Sequence, residues 1–217
     1  MIYTALGDSI TFGENASSFT KAYPQLAVSM ARASDSGRIV GYVLAQPGWS
    51  TYDLLDAAVW QGAPVISRSA VVSVWIGGVD LANAALSALT SKQTLDPKPF
   101  VARYKQNLHA ILTQIKNTSH ARILCCTQYN PFPNSPLAAK AIVGLNQSTK
   151  EVAQSYNAKV VPVHKWFEGK QDQLIYGYRK GKIEDALGGF LPIHPNDRGH
   201  HVVAKGLVPY LGAGKNI

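Results

Sequence analysis

Cysteine is almost missing from this chain: its 217 residues include two, and they are neighbours, Cys125 and Cys126. Adjacent cysteines in an apolar, strand-like stretch suit neither a disulfide framework nor a zinc site with spaced ligands, so they read as reduced core residues. Long apolar runs are missing too. No stretch approaches membrane-spanning length, and no basic segment followed by an apolar one opens the sequence. The expectation is a cytoplasmic protein without a membrane span, unless a leader has been removed. Acidic residues are scarce, 13 against 21 Lys and Arg, for a net charge of +8. The cations are scattered, with no stripe or tail of the kind that binds nucleic acid, so the charge implies solubility and at most a mild pull on anionic substrates. There is no internal repeat, low-complexity tract or linker. With 46% hydrophobic residues, the length fits one well-buried core and a single domain over residues 1–217.

What the chain does have is alternation. Apolar, β-rich segments at Ile2–Leu6, Ile39–Ala45, Ala70–Ile76, Arg122–Thr127 and Ala158–Val163 are separated by segments of helical period, the pattern of βαβ units around a parallel sheet. Pro162 confines the last strand to an edge or a strand end. Helices are expected over Tyr23–Ala33, Tyr52–Trp60, Phe100–Lys116, Leu137–Tyr156 and about Asp197–Val208, the last capped by Asn196. Phe100, Tyr104, Leu108, Ile111, Leu112 and Ile115 recur at three- and four-residue steps, which makes a core-facing stripe. Ala84–Pro99 and Phe167–Ile193 read as long irregular segments, of the length that often covers a site.

Two short strings carry chemistry. Gly7-Asp8-Ser9-Ile10-Thr11-Phe12-Gly13 follows the first strand, so Ser9 stands where a strand ends and a turn begins, at the sheet edge where α/β folds hold reactive groups. A serine hydroxyl becomes a nucleophile only when a base takes its proton, and His194, in His194-Pro195-Asn196-Asp197, is the best-placed base. Without such a base, Ser9 would read as a helix cap. Asp8 and Asp80 read as braces of backbone turns. His200 and His201 lack the carboxylates or cysteines of a metal site, and His200 falls a turn into the closing helix, a structural position. His109, His120 and His164 have no partner visible in the sequence.

In these strings the chain resembles the SGNH hydrolases, the GDSL esterase and lipase family, and the likeness spans nearly its whole length. Gly7-Asp8-Ser9-Ile10-Thr11 is similar to the family's first block, with Ser9 as nucleophile. Gly48, in Gln46-Pro47-Gly48-Trp49-Ser50, is similar to the second block's oxyanion glycine, and His194 to the last block's base. The resemblance implies a three-layer α/β/α sandwich on a five-stranded parallel sheet, flavodoxin-like, and hydrolysis of small-molecule carboxylic esters through an acyl-enzyme, with no metal and no cofactor.

Two departures from the family pattern stand out. The third block, Gly77-Gly78-Val79-Asp80-Leu81, has Val79 where the family has an oxyanion-donating Asn; losing one such donor costs about 10²- to 10³-fold. A backbone amide at Gly78, or the side chain of Asn83, is the candidate replacement. Three residues before His194 the family's orienting Asp is Leu191. Leucine leaves the ring nitrogen free for another acceptor: the family resemblance offers a main-chain carbonyl, which some members use instead, while Asp185 and Glu184, just upstream, either reach the ring or stand as solvated loop carboxylates. The reading that results is a Ser9–His194 dyad with the amides of Ser9 and Gly48 as oxyanion donors. Trp49, Tyr129, Phe132 and Trp75, near strand ends, are candidate walls of an acyl pocket. Carbohydrate deacetylation, acyl transfer, and a degenerate fold that only binds are the alternatives; acyl chain, head group and oligomeric state are not legible.

Overall fold

The computed structural model describes residues 1–34, 38–90, 96–187 and 190–212, the side chains of 85–90 and 187 excepted. Five parallel strands, β1 (Ile2–Gly7), β2 (Val40–Ala45), β3 (Val71–Trp75), β4 (Arg122–Cys126) and β5 (Lys159–Val161), lie in the order β2-β1-β3-β4-β5. Chain order departs from spatial order once: β1 and β3 pair centrally with β2 outside them, so the connections leave the sheet in opposite directions beside β1. The turn that carries Ser9 leaves β1 at that point.

Strand alternation decides which helices meet which face. Tyr3, Ala5, Leu124 and Cys126 pack with Tyr23, Ala27, Val203 and Leu207, from α2 (Tyr23–Ala33) and α10 (Asp197–Leu211). Leu6, Val72, Val74 and Cys125 pack with Leu54, Leu108, Ile111 and Leu145, from α3 (Thr51–Trp60), α6 (Pro97–Thr118) and α7 (Pro136–Ser155). The result is a helix–sheet–helix sandwich. Consecutive residues of β4 face opposite layers, so Cys125 and Cys126 enter different halves of the core; both are free and buried. Burial pushes the Cys125 thiol up to about 12.

The remaining helices are short or lie at the edge: α1 (Ser9–Phe12), α4 (Ala63–Ile66), α5 (Gly78–Thr90), α8 (Val163–Phe167) and α9 (Gln171–Leu174). Two sequence expectations change. Ala84–Pro99 is helical through Thr90 and again from Pro97, while residues 91–95 lie outside the described residues. Ala- and Leu-rich sequence favours helix, and Asp96 caps α6 through Lys98 N at 3.0 Å with proline in the first turn, so Asp-Pro is a helix start here rather than a loop. The last strand stops at Val161, because Pro162 cannot donate to the ladder and α8 begins at once. Phe167–Ile193 is largely irregular, with α9 and a 3₁₀ turn at Ile183–Leu187 inside it; residues 188–189 lie outside the described residues. No described helix is long and apolar enough to cross a membrane.

Gly7 ends β1 where no side chain fits. A Cβ there would stand 2.4 Å from the Trp75 carbonyl oxygen and 2.1 Å from Thr11 Oγ1. The Gly7→Ala variant is therefore expected to lose about 2–3 kcal/mol or more of stability by overpacking, seen as a lower urea midpoint with an unchanged slope; an unchanged midpoint contradicts this packing.

Candidate active site

The site starts from a tight turn. Asp8 caps α1 by accepting from Ile10 N at 3.1 Å, which leaves Ser9 as the first helical residue, and Gly13 ends the helix in the left-handed region (φ 106). The amides of Gly13 and Glu14 both donate to the Ser9 carbonyl, at 3.0 and 2.9 Å. Ser9 is thus held by its own backbone, with its hydroxyl free for a partner. That partner is His194: Ser9 Oγ lies 2.9 Å from Nε2, across 185 residues of sequence. For Nε2 to accept the hydroxyl proton, the neutral ring carries its own proton on Nδ1.

His194 is fixed through its neighbours. Tyr176 N donates to the His194 carbonyl (2.9 Å), Ile175 and Pro195 form an antiparallel bridge, and the Tyr129 hydroxyl donates to the Ile193 carbonyl. Asn196 then caps α10 by accepting from Gly199 N at 3.0 Å and donates to the Gln173 carbonyl at 2.9 Å. Burial holds the imidazole below its ordinary value, with the Glu14 charge partly opposing. A ring kept neutral near pH 7 is a competent base.

Gly48 lies in the exposed turn after β2 with φ 84, and a Cβ there would meet nothing within 4 Å, so the turn's backbone rather than packing asks for glycine. Gly78 opens α5 beside the Asp8–Ser9 turn: a Cβ on it would sit 3.7 Å from Asp8 Oδ2. Val79 and Asp80 follow in the first turn of α5, and Asp80 accepts from Thr51 N and Thr51 Oγ1 at 3.0 and 2.6 Å, tying α5 to the start of α3. Asn107 of α6 donates to the same Thr51 oxygen at 2.8 Å. Asp80 braces a turn, as its sequence context suggests, and so does Asp8. Burial drives the Asp8 carboxyl up to about 7, against the opposing Ile10 hydrogen bond.

Other expectations are redrawn. Asn83 is exposed on α5, one helical turn beyond Val79. Tyr129 is buried, stacked on Phe167 at 4.1 Å, and its hydroxyl is used on the Ile193 carbonyl, so it holds the backbone beside His194 instead of lining an open pocket. Trp75 is buried at the centre of the sheet, with Nε1 donating to Gln128 Oε1 at 3.1 Å. Phe132 is also buried, whereas Trp49 is half-buried against the α3–α6 layer. Asp185 is no solvated carboxylate: it is buried and accepts from the amides of Lys180 and Lys182 at 2.8 and 3.2 Å, so it closes its own loop, while Glu184 is exposed. Leu191 is exposed.

His200 is a second strongly perturbed group near the pair. It is fully buried, stacks on Tyr23, accepts from Tyr23 N at Nδ1 (3.3 Å) and donates from Nε2 to the Glu14 carbonyl (3.2 Å). Desolvation first, then the neighbouring His194, lower it to about 4, against the Glu14 hydrogen bond and the Asp197 charge. Its structural role matches the sequence expectation. Among the described residues, no three His, Cys, Asp or Glu side chains are grouped as metal ligands would be.

The sequence model of the GDSL-like lipase/acylhydrolase family matches residues 5–202. The chain is similar to the spore germination lipase LipC of Bacillus licheniformis, 24% identical over 214 residues that cover 94% of this chain and 93% of that protein. Among solved structures, the lipase Lip_vut3 from a goat rumen metagenome superposes with a TM-score of 0.82 at 22% identity, covering 99% of each chain. The acetyl xylan esterase AlAXEase superposes at 0.70 with 16% identity, covering 97% of this chain and 99% of that one. At such identities the structural likeness speaks for the fold.

The depressed His200 value fixes the sign of an acid response. Its folded value lies below the unfolded 6.5, so its contribution is complete above pH 6.5 and is lost as pH falls toward about 4. Asp8, raised to about 7, acts with the opposite sign over the same range in parent and variant alike, so the readout is the stability difference between the parent and His200→Gln, which is expected to shrink by roughly 3 kcal/mol over that window. The His200→Gln variant is less stable at pH 7 but has a shallower acid slope; an equally steep slope contradicts the assignment.

Proposed function

The chain belongs to the GDSL-like lipase/acylhydrolase family, and from that membership we propose that it hydrolyses carboxylic esters with Ser9 as nucleophile and His194 as base. The single observation that carries the reading is the 2.9 Å contact between Ser9 Oγ and His194 Nε2. The Ser9 proton moves to Nε2 as Oγ bonds to the acyl carbon, and the carbonyl electron pair moves onto oxygen. The amides of Ser9 and Gly48 hold that oxyanion, with the Gly78 amide as a third donor in place of the side chain that Val79 lacks. Collapse expels the alcohol, which takes the proton from the imidazolium. Water, deprotonated by His194, then attacks the serine ester, and collapse breaks the bond to Ser9 Oγ, which takes the proton back from the imidazolium as the acid leaves. The steps need no metal or cofactor. Residues 1–217 act as one functional unit in this scheme.

Similarity to proteins described as a lipase and an acetyl xylan esterase supports carboxylic esters as the substrate class; deacetylation of carbohydrate, and acyl transfer in which an alcohol replaces water, are variants of the same chemistry. Val79 and Leu191 favour a second reading, a degenerate fold that binds without turnover. The intact Ser9–His194 contact weighs against it, since a binding site has no need of a base aimed at a serine.

Ser9→Ala and His194→Ala are each expected to lower kcat on p-nitrophenyl acetate and butyrate by about 10³-fold or more, with little change in KM. Activity retained in either variant would refute the dyad. Because burial lowers the His194 value, the ascending limb of kcat/KM is expected below pH 6.5.

A further inference from the structure

Leu191 leaves the His194 imidazolium without its usual carboxylate, yet each alternative close by is already engaged. Asp185 is bonded to the amides of Lys180 and Lys182. Asp8 faces Ile10 N inside the nucleophile turn. Asp197, at the start of α10, accepts from Ser17 N and Ser17 Oγ and pairs with Lys21 at 2.8 Å. His200, the other titratable group of α10 near the base, has both ring nitrogens occupied by backbone.

Glu14 is the exception. It belongs to a strap, residues 13–17, stretched between the two halves of the site. One end of the strap is fastened to the nucleophile, since the Gly13 and Glu14 amides donate to the Ser9 carbonyl. The other is fastened to the helix that follows the base, through His200 Nε2 on the Glu14 carbonyl and Ser17 on Asp197. The Glu14 backbone is therefore fixed on both sides, while the carboxylate of this half-buried residue has no ion pair within 4.0 Å among the described residues. We propose that Glu14 is the positioning residue for His194, a charge held by the 13–17 strap that stabilises the imidazolium across space in place of the carboxylate missing at Leu191. Consistent with this, Glu14 is the charge that opposes the downward effect of burial on His194. The role rests on the reading of Ser9 and His194 as nucleophile and base.

The assignment separates Glu14's side chain, which sets the charge, from its backbone, which ties the strap and survives substitution. Its test is the pH profile of kcat/KM on p-nitrophenyl acetate for the parent, Glu14→Gln, Glu14→Asp, Glu14→Lys and Ser9→Ala, with thermal melts of each. The ascending limb is expected to move to lower pH in Glu14→Gln and further in Glu14→Lys. Plateau kcat falls about three- to tenfold in Glu14→Gln, KM holds, and Glu14→Asp returns toward the parent. A purely structural role would lower stability or kcat and leave the limb in place. Superposable limbs in the parent, Gln and Lys proteins, with Ser9→Ala inactive, overturn the role of Glu14 alone. A Ser9→Ala protein as active as the parent overturns the dyad, and the role of Glu14 with it.

Discussion

One hydrogen bond, Ser9 Oγ to His194 Nε2 at 2.9 Å, joins the first turn of the chain to the start of its last helix. A bond of this kind contributes only about 1 kcal/mol net, too little to bring together groups 185 residues apart. It is a consequence of the fold rather than a support for it. The parallel sheet puts the end of β1 at the edge where the connecting loops gather, and α10 docks on α2 beside that edge through Val203, Leu207, Tyr23 and Ala27. The apolar burial in that layer, at roughly 25 cal/mol per Å², is what keeps hydroxyl and imidazole within reach before any substrate arrives.

Around the pair, most of the fine positioning is done by backbone groups. The Ser9 carbonyl accepts two amides, the His194 carbonyl accepts Tyr176 N, and the Ile193 carbonyl accepts the Tyr129 hydroxyl. Buried carbonyls need partners wherever the chain is irregular, so a loop that satisfies them holds one conformation. The main chain on either side of His194 is held in this way, although Leu191 stands where the family has a carboxylate. What the main chain cannot supply is negative charge when the ring becomes a cation. That need leads from Leu191 to the 13–17 strap.

Much of the architecture was legible because its signals are local. β1, β3 and β4 are short apolar runs, and α2 spans Tyr23–Ala33, the residues its period suggests. Ser9 and His194 stand out through the short strings around them, and Asn196 through its place before a helical period. The segment after Ala84 was misread because Asp96-Pro97 resembles a turn as much as a helix start, and the choice depends on α6 finding α3 and α7 to pack against. The tasks of Tyr129, Asp185 and Glu14 were not legible at all. Each depends on elements distant in sequence or on a loop's closure: Tyr129 meets Ile193 across 64 residues, and Glu14 meets His200 across 186. An aromatic after a strand and a carboxylate in a loop carry no mark of the carbonyl or ring they will face.

The account stands on Ser9 being activated by His194, and covalent trapping tests that most directly. The native protein would be treated with a fluorophosphonate near pH 7 and digested, and the adduct mapped by mass spectrometry, with His194→Ala in parallel. A single adduct on Ser9 that forms much more slowly in His194→Ala is the result the geometry predicts. No adduct, an adduct on another residue, or equal labelling of both proteins would contradict it.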